Sequence, residues 1–86
     1  MQKIKYEIIS FWLRHIFLRH IGKRYPDFFK RWMADLTDSE TKRKIMALRY
    51  SGDKPMGFEA IAITIGISPR RVFEHHKTVI DKIIYG

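Results

Sequence analysis

The sequence predicts an all-α fold, a small domain of about five helices that ends in a helix-turn-helix. Apolar residues recur at intervals of three and four along most of the chain, and this is the spacing of helices rather than strands. Glycine, proline and capping residues separate these stretches. The chain has 86 residues, of which 45% are hydrophobic, so it can build one modest core. We therefore expect residues 1–86 to form a single domain, with N-terminal helices over 1–35 and a helix-turn-helix unit over 36–86.

The first predicted helix covers residues 3–21 and ends at Gly22, since glycine takes the left-handed backbone conformation at no steric cost. Six apolar residues form its expected inner face: Ile8, Ile9, Trp12, Leu13, Ile16 and Phe17. Four residues line the opposite side: Lys3, Glu7, Ser10 and Arg14.

Other apolar residues of this helix, Phe11, Leu18 and Ile21, fall near its polar side. Packing against both the next segment and the C-terminal core would explain them. A homodimer interface through Phe11, Trp12 and Leu18 would explain them equally well, because many small DNA-binding domains dimerise. The end of the last helix, at Ile84 and Tyr85, is a second candidate for contact with another copy.

No membrane partner is expected. A basic amphipathic helix can lie on a membrane, but the charges of the first helix are too scattered to define a polar face. No stretch approaches the ~20 apolar residues of a membrane span, and the N-terminus lacks a signal-peptide cleavage site. The chain has no cysteine, which excludes disulfides. We expect a cytoplasmic protein of a bacterium or a virus-infected cell.

The second and third helices are predicted at residues 27–35 and 38–50. Phe28, Phe29, Trp32 and Met33 form an aromatic-rich cluster in the second; they could stack on bases, but their helical spacing favours a core role. Thr37 and Glu40 are expected to form a capping box at the start of the third. Ile45 and Leu48 should face inward, and a loop from Ser51 to Gly57 follows.

The C-terminal part reads as a short helix, a tight turn and a longer helix. The first is apolar along one face: Phe58, Ile61, Ala62 and Ile65. Gly66 should end it, with Ile67 as a buried plug, before Ser68 caps and Pro69 opens the helix 69–84. The inner face of that helix should comprise Val72, His76, Val79, Ile80 and Ile83. This pattern is typical of a helix-turn-helix, whose second helix enters the major groove of double-stranded DNA.

The predicted DNA contacts lie on and near the outer face of helix 69–84: Ser68, Pro69, Arg70, Arg71, Phe73, Glu74, His75, Lys77 and Thr78. An arginine at the start of that helix can bind guanine bidentately, and one of the two is expected to contact phosphate instead. Glu74 could accept from cytosine or orient Arg70 through an i, i+4 contact, and we favour the second. Lys77, Lys54 and Arg49 are predicted phosphate contacts.

The charge supports a polyanionic partner. The formal net charge is +8, and it is spread over both halves of the chain. Residues 1–35 carry eight Lys or Arg against three Asp or Glu, and residues 36–86 carry nine against six. Both halves could therefore contact phosphate.

Neither an enzyme nor a metal protein is expected, and no cofactor is implied. The acidic residues are dispersed, and no phosphate loop or nucleophile motif is present. His75 and His76 are adjacent, so on a helix they point about 100° apart and cannot easily share a metal. His76 is expected to be a core histidine.

From Leu36 onward, the chain resembles the DNA-binding domains of σ-factor region 4 and of LuxR-type regulators. The matching residues are Leu36, Thr37 and Glu40; Leu48-Arg49-Tyr50; Phe58, Glu59, Ile61 and Ala62; Ile65-Gly66-Ile67-Ser68; and Val72, His75, Lys82 and Ile83. The resemblance implies a promoter or operator binder that presents residues 69–74 to DNA. The loop from Ser51 to Gly57 is longer than is usual in those families, and the chain is too short to be a complete σ factor.

Two hypotheses follow. In the first, the protein is a small sequence-specific transcriptional regulator, which binds DNA as a homodimer. In the second, it is a protein-interaction module that binds RNA polymerase or another regulator. Specific DNA binding should depend on Arg70 and Arg71, whereas protein binding should depend on Phe11, Trp12 and Leu18.

Overall fold

A computed structural model describes residues 2–52 and 54–86 of the chain. Within these residues it contains five helices and no strand, which confirms the all-α fold class. Helix α1 covers residues 2–24 and has three parts: an α-helix Gln2–Trp12, a π-helical turn Leu13–Phe17 and an α-helix Leu18–Arg24. The other helices are α2 (Pro26–Leu36), α3 (Glu40–Tyr50), α4 (Phe58–Ile65) and α5 (Pro69–Tyr85). None of the described helices combines the length and apolar content needed to cross a membrane.

The π-helical turn lets two leucines that are five residues apart face the core together. The amide of Leu18 donates to the carbonyl of Leu13, which is the i→i+5 bond of a π-helix. In a regular α-helix, residues five apart point about 140° away from each other. The wider turn removes this difference, so Leu13 is 5% exposed and Leu18 is fully buried.

The predicted inner face of α1 is wrong, because the helix packs through Ser10, Leu13 and Leu18 and leaves its most apolar side exposed. Leu13 is the only member of that face that is buried; the others lie at the surface: Ile8, Ile9, Trp12, Ile16 and Phe17. Ser10, which was predicted on the polar side, is 6% exposed, and Arg14 is half-buried. The side chain of Lys3 lies outside the described residues.

Two hydrophobic clusters form the core. The larger joins α1, α2, α3 and α5 through Leu13, Leu18, Phe29, Met33, Met46, Tyr50, Val79 and Ile80. The smaller joins α3, α4 and α5 through Ile45, Ile61, Ala62 and Val72. Helices α3 and α5 therefore contribute buried residues to both clusters, and they hold the N-terminal helices and the helix-turn-helix together.

His76 is buried where α5 passes from one cluster to the other, which confirms the prediction of a core histidine. The Tyr50 hydroxyl lies 2.5 Å from its Nε2, and the Phe58 ring centroid lies 5.0 Å from the imidazole centroid. Burial lowers the pKa of His76 to about 3, with a smaller effect of Arg14 and Arg49, and burial raises the pKa of Tyr50 to about 12. At neutral pH, this hydrogen bond therefore joins a protonated hydroxyl and a neutral imidazole, and the tautomer of His76 sets which of the two donates.

Gly22 lies inside α1, which continues to Arg24, so the predicted helix end is wrong. Here α1 crosses the C-terminal end of α3 at very short range. A Cβ atom at Gly22 would overlap the Tyr50 carbonyl group, lying 2.6 Å from its carbon. Next to this crossing, Arg19 donates hydrogen bonds to the carbonyls of Tyr50 (3.1 Å) and Gly52 (2.9 Å). Close packing, rather than a special backbone conformation, requires the glycine.

Helix α3 begins two residues later than predicted. Its N-cap is Ser39, whose Oγ accepts a hydrogen bond from the Lys42 amide at 3.2 Å. Thr37 Oγ1 instead accepts from the Ser39 amide at 3.1 Å, and Glu40 pairs with Lys44 at 3.5 Å. The predicted Thr37–Glu40 capping box is therefore wrong, because a serine nearer to the helix takes the capping role.

The aromatic-rich cluster of α2 is divided between core and surface. Phe29 and Met33 are each 1% exposed, which confirms their core role, and Trp32 is half-buried against them. Phe28 is 52% exposed, so the prediction of a core role is wrong for this residue.

Substitution of Gly22 by alanine tests the close crossing of α1 and α3. The added methyl group meets backbone atoms, which cannot move out of the way as a flexible side chain can. We expect a loss of about 2 kcal/mol or more in the free energy of unfolding, despite the better helix propensity of alanine. Thermal denaturation provides the measurement. Gly57→Ala is the matched control, because a Cβ there meets nothing within 4 Å; equal losses in the two variants would contradict the account.

The buried His76 predicts a pH dependence of stability. Its pKa is depressed in the fold, so between about pH 6.5 and 3 the unfolded chain binds a proton that the folded chain does not. The free energy of unfolding is therefore highest above about pH 6.5 and decreases as the pH falls below that value. We expect a slope approaching about 1.4 kcal/mol per pH unit. Urea denaturation at pH 7, 6 and 5 measures it, and His76→Gln should flatten the curve. An unchanged slope in that variant would contradict the assignment.

Candidate nucleic-acid interface

The turn between α4 and α5 has the predicted geometry. Gly66 ends α4 with φ 87° and ψ 34°, a left-handed conformation that favours glycine. Its amide and the Ile67 amide both donate to the Ala62 carbonyl, at 2.8 and 3.1 Å. Ser68 then caps α5, where its Oγ accepts from the Arg71 amide at 3.2 Å, and Pro69 occupies the first turn. The predicted end, cap and start of these two helices are therefore confirmed.

The smaller cluster fixes the orientation of α5 on α4. Val72 and Ile61 are completely buried in it, and Ala62 is 3% exposed. Ile67, which was predicted as a buried plug, is half-buried and packs against the same cluster from the turn. The inner side of the first two turns of α5 is thus used for packing, and its other side must face outward.

The outer side of α5 carries most of the predicted DNA contacts. Arg70, Arg71, Glu74 and Thr78 are all exposed, as are Ser68 and Pro69 at the start of the helix. The Thr78 hydroxyl donates to the Glu74 carbonyl at 2.9 Å within the helix. No ion pair joins the described side chains of Arg70 and Glu74, so the orienting contact that we favoured is not formed. The Glu74 carboxylate faces solvent instead.

One margin of this face includes a residue that the sequence analysis missed. Lys42 of α3 lies beside Arg71, His75 and Thr78, and with Glu74 these residues line an open concavity of about 420 Å³. Burial, followed by the Lys42 and Arg71 cations, lowers the pKa of the His75 imidazole. The concavity therefore combines the positive charges of Lys42 and Arg71 with the Glu74 carboxylate, which opposes the lowering of the pKa of His75.

A signal for Lys42 was present in the sequence. It lies three residues before the buried Ile45, so on a helix it lies close to the inward side. Which cation of the run Lys42, Arg43 and Lys44 faces α5 depends, however, on how α3 packs across α5. The sequence pattern of α3 alone does not indicate how the two helices cross.

The other margin is tied to α1. The Lys77 ammonium group pairs with Asp81 at 2.9 Å and lies 5.7 Å from the ring centroid of Tyr6. The Tyr6 hydroxyl donates to Asp81. Burial and this hydrogen bond raise the pKa of Tyr6 to about 12. Burial of Asp81 acts to raise the pKa of its carboxyl group, but the hydrogen bonds from Tyr6 and Lys77 outweigh burial, so the pKa of Asp81 is lowered. Phe73, 49% exposed, lies on the same margin.

Arg49, a predicted phosphate contact, makes contacts within the fold. Its Nη1 donates to the Met56 carbonyl at 2.9 Å, and its guanidinium carbon lies 5.4 Å from the Phe58 ring centroid. It thereby fastens the loop before α4 onto α3. Lys54, in the same loop, is exposed.

No protein-family model, curated protein or solved structure matches the chain. Among the described residues, no group of three or more His, Asp or Glu side chains is arranged to hold a metal ion.

Proposed function

We propose that the protein is a sequence-specific double-stranded DNA-binding protein, a small transcriptional regulator that uses α5 as its recognition helix. The observation that carries the proposal is the division of α5 into two sides. Val72 and His76 are buried, while Arg70, Arg71 and Glu74 project from the opposite side next to a capped helix-turn-helix turn. This is the arrangement that a major-groove helix requires. The resemblance to σ-factor region 4 and LuxR-type domains points in the same direction.

The exposed side chains divide into two roles. Arg70 or Arg71 reads a guanine through O6 and N7, and Glu74 accepts from a cytosine N4 amino group. The other arginine and Lys42 contact phosphates, and they set the position of α5 along the groove without reading sequence. Lys54 extends the phosphate contact through the loop before α4. Such a regulator works in the cytoplasm, where bacterial promoters and operators are accessible.

The net charge of +8 supports the proposal and also supplies its main alternative. A basic protein binds any DNA by releasing counterions, and this affinity falls steeply as the salt concentration rises. Specific recognition must therefore survive both moderate salt and competitor DNA. The experiment has to separate these two contributions.

The test is selection of preferred sites from a pool of genomic DNA fragments, followed by fluorescence anisotropy on the selected duplex. The wild-type chain should enrich a few fragments at moderate salt. Replacement of both Arg70 and Arg71 by alanine should weaken binding to them by about a hundredfold or more. Fragments that all bind alike, and are all released together as salt rises, would contradict site-specific recognition.

Lys30→Ala with Arg31→Ala is the matched control for this test. Like the Arg70 and Arg71 double variant, it removes two positive charges, but from exposed positions on α2. The neighbouring α2 residues Phe29 and Met33 pack near Val79 and Ile80, far along α5 from Arg70. The control should lower affinity only slightly, and equally for selected and unrelated duplexes.

His75 predicts that DNA binding becomes stronger as the pH falls. In the free protein, burial and the cations of Lys42 and Arg71 lower its pKa, and the Glu74 carboxylate opposes this only in part. A phosphate in the concavity raises that pKa, so binding takes up a proton. Between about pH 7.5 and 6, the affinity should rise by up to about tenfold per pH unit at constant ionic strength.

His75→Gln should remove this pH dependence, because glutamine keeps a hydrogen-bond donor but does not titrate. The buried His76 does not contribute to it, since its pKa is far below this range. An identical pH profile in the variant and the wild type would show that His75 is not at the DNA contact.

A further inference from the structure

The outer side of α1 presents a large apolar surface. Six side chains on it are between 36% and 64% exposed: Ile8, Ile9, Phe11, Trp12, Ile16 and Phe17. We name this surface the α1 apolar face. At the areas typical of such side chains, it exposes on the order of 600 Å². That is the upper end for the largest apolar patch of a monomer, and such patches mark contacts with other molecules.

We propose that the α1 apolar face binds the same face of a second copy of this chain, with the two α1 helices antiparallel across a two-fold axis near Trp12. Ile8 and Ile16 lie four residues to either side of Trp12 and are 64% and 53% exposed. An antiparallel arrangement therefore places Ile8 of one copy against Ile16 of the other, and the two Trp12 side chains against each other. The face is thus complementary to itself, as a two-fold interface requires.

The size of the face fits a second copy. Two such faces bury on the order of 1,200 Å² in total, which is the lower end of the range for specific interfaces. A chain of ring contacts extends the face onto α2. The rings of Trp12 and Phe17 stack with their centroids 5.5 Å apart, and Phe17 meets Trp32 edge-on with 6.0 Å between centroids. The ring centroids of Trp32 and Phe28 lie 6.4 Å apart. Phe28 is 52% exposed, so it adds apolar area beside the helix pair.

The charge pattern favours a second copy over an acidic partner or an anionic membrane. The six residues of the face include no charged side chain. The nearby Arg14 donates to the Ser10 carbonyl, on the buried side of α1, and Arg19 donates to the end of α3. A contact with an acidic surface would present cations to it. The six side chains themselves are uncharged and match one another in an antiparallel pair, and the exposed Lys5 lies one turn before them.

The pairing leaves the proposed DNA-binding face free. The described side chains of α1 contribute no buried residue to the smaller cluster, which holds α4 against α5. The dimer would carry two recognition helices, but the inference does not depend on DNA binding. Leu18, which the sequence analysis assigned to a dimer interface, is fully buried and takes no part. At the other predicted dimer contact, the end of α5, Ile84 is half-buried and Tyr85 stacks on Tyr6, with 5.8 Å between the ring centroids.

Analytical ultracentrifugation of the full chain without DNA tests the proposal. A concentration series should show a reversible equilibrium between monomer and dimer. Each copy carries a net charge of +8, so the copies repel each other, and added salt should lower the dissociation constant of the dimer. Binding to DNA or to an anionic membrane has the opposite salt dependence. Failure of the DNA proposal would leave this result unchanged.

Variants test the register of the pairing. Ile8→Glu should raise the dissociation constant by more than about a hundredfold, and Ile16→Lys should also weaken the dimer. The double variant Ile8→Glu, Ile16→Lys should restore association, because the antiparallel register sets each new carboxylate against an ammonium group of the other copy. Ile63→Glu is the control, since Ile63 is 84% exposed on α4, outside the face.

Circular dichroism of each variant separates loss of pairing from loss of fold, and the restored double variant does so independently. A chain that stays monomeric at every concentration overturns the proposal. So does a dimer that Ile8→Glu leaves intact. A monomer that instead binds vesicles of anionic phospholipid, with salt weakening the binding, also overturns it, because the face then belongs to a membrane contact.

Discussion

The structure depends on the burial of one side of α5 against two clusters at once. Val72 packs with α4 in the smaller cluster, and Val79 and Ile80 pack with α1 and α2 in the larger one. His76 lies between them and shares a hydrogen bond with the Tyr50 hydroxyl, so its Nε2 has a polar partner at this junction. An unpaired imidazole there would carry a cost of ~1–3 kcal/mol. The junction therefore fixes both the position of α5 along its axis and its rotation about that axis.

This constraint connects the core to the proposed function. Because the inner side of α5 is committed to packing, Arg70, Arg71 and Glu74 have no alternative to the outer side. The same packing brings Lys42 of α3 beside His75. A recognition helix must present its side chains at a fixed angle to the groove, and here the two clusters would supply that rigidity. The N-terminal helices pack against the C-terminal part of α5, and the outer side of α1 stays exposed.

Local signals in the sequence were sufficient for the helix-turn-helix. Gly66, Ser68 and Pro69 act through the backbone within a few residues of themselves, so their positions could be predicted. The inner face of α1 could not be predicted in this way. The π-helical turn that aligns Leu13 with Leu18 forms because both leucines gain burial against α2, α3 and α5. Likewise, the roles of Arg49 and Lys42 depend on which helices cross next to them.

The most direct test of the central claim is to map the DNA-facing surface by NMR. Amide chemical shifts of the labelled full chain would be followed as a selected duplex is added at moderate salt. If the outer side of α5 reads DNA, the largest changes will lie in residues 68–78 and at Lys42, while the amides of α1 and α2 change little. Large changes concentrated in α1 and α2, with α5 unaffected, would show that the outer side of α5 is not the surface that reads DNA.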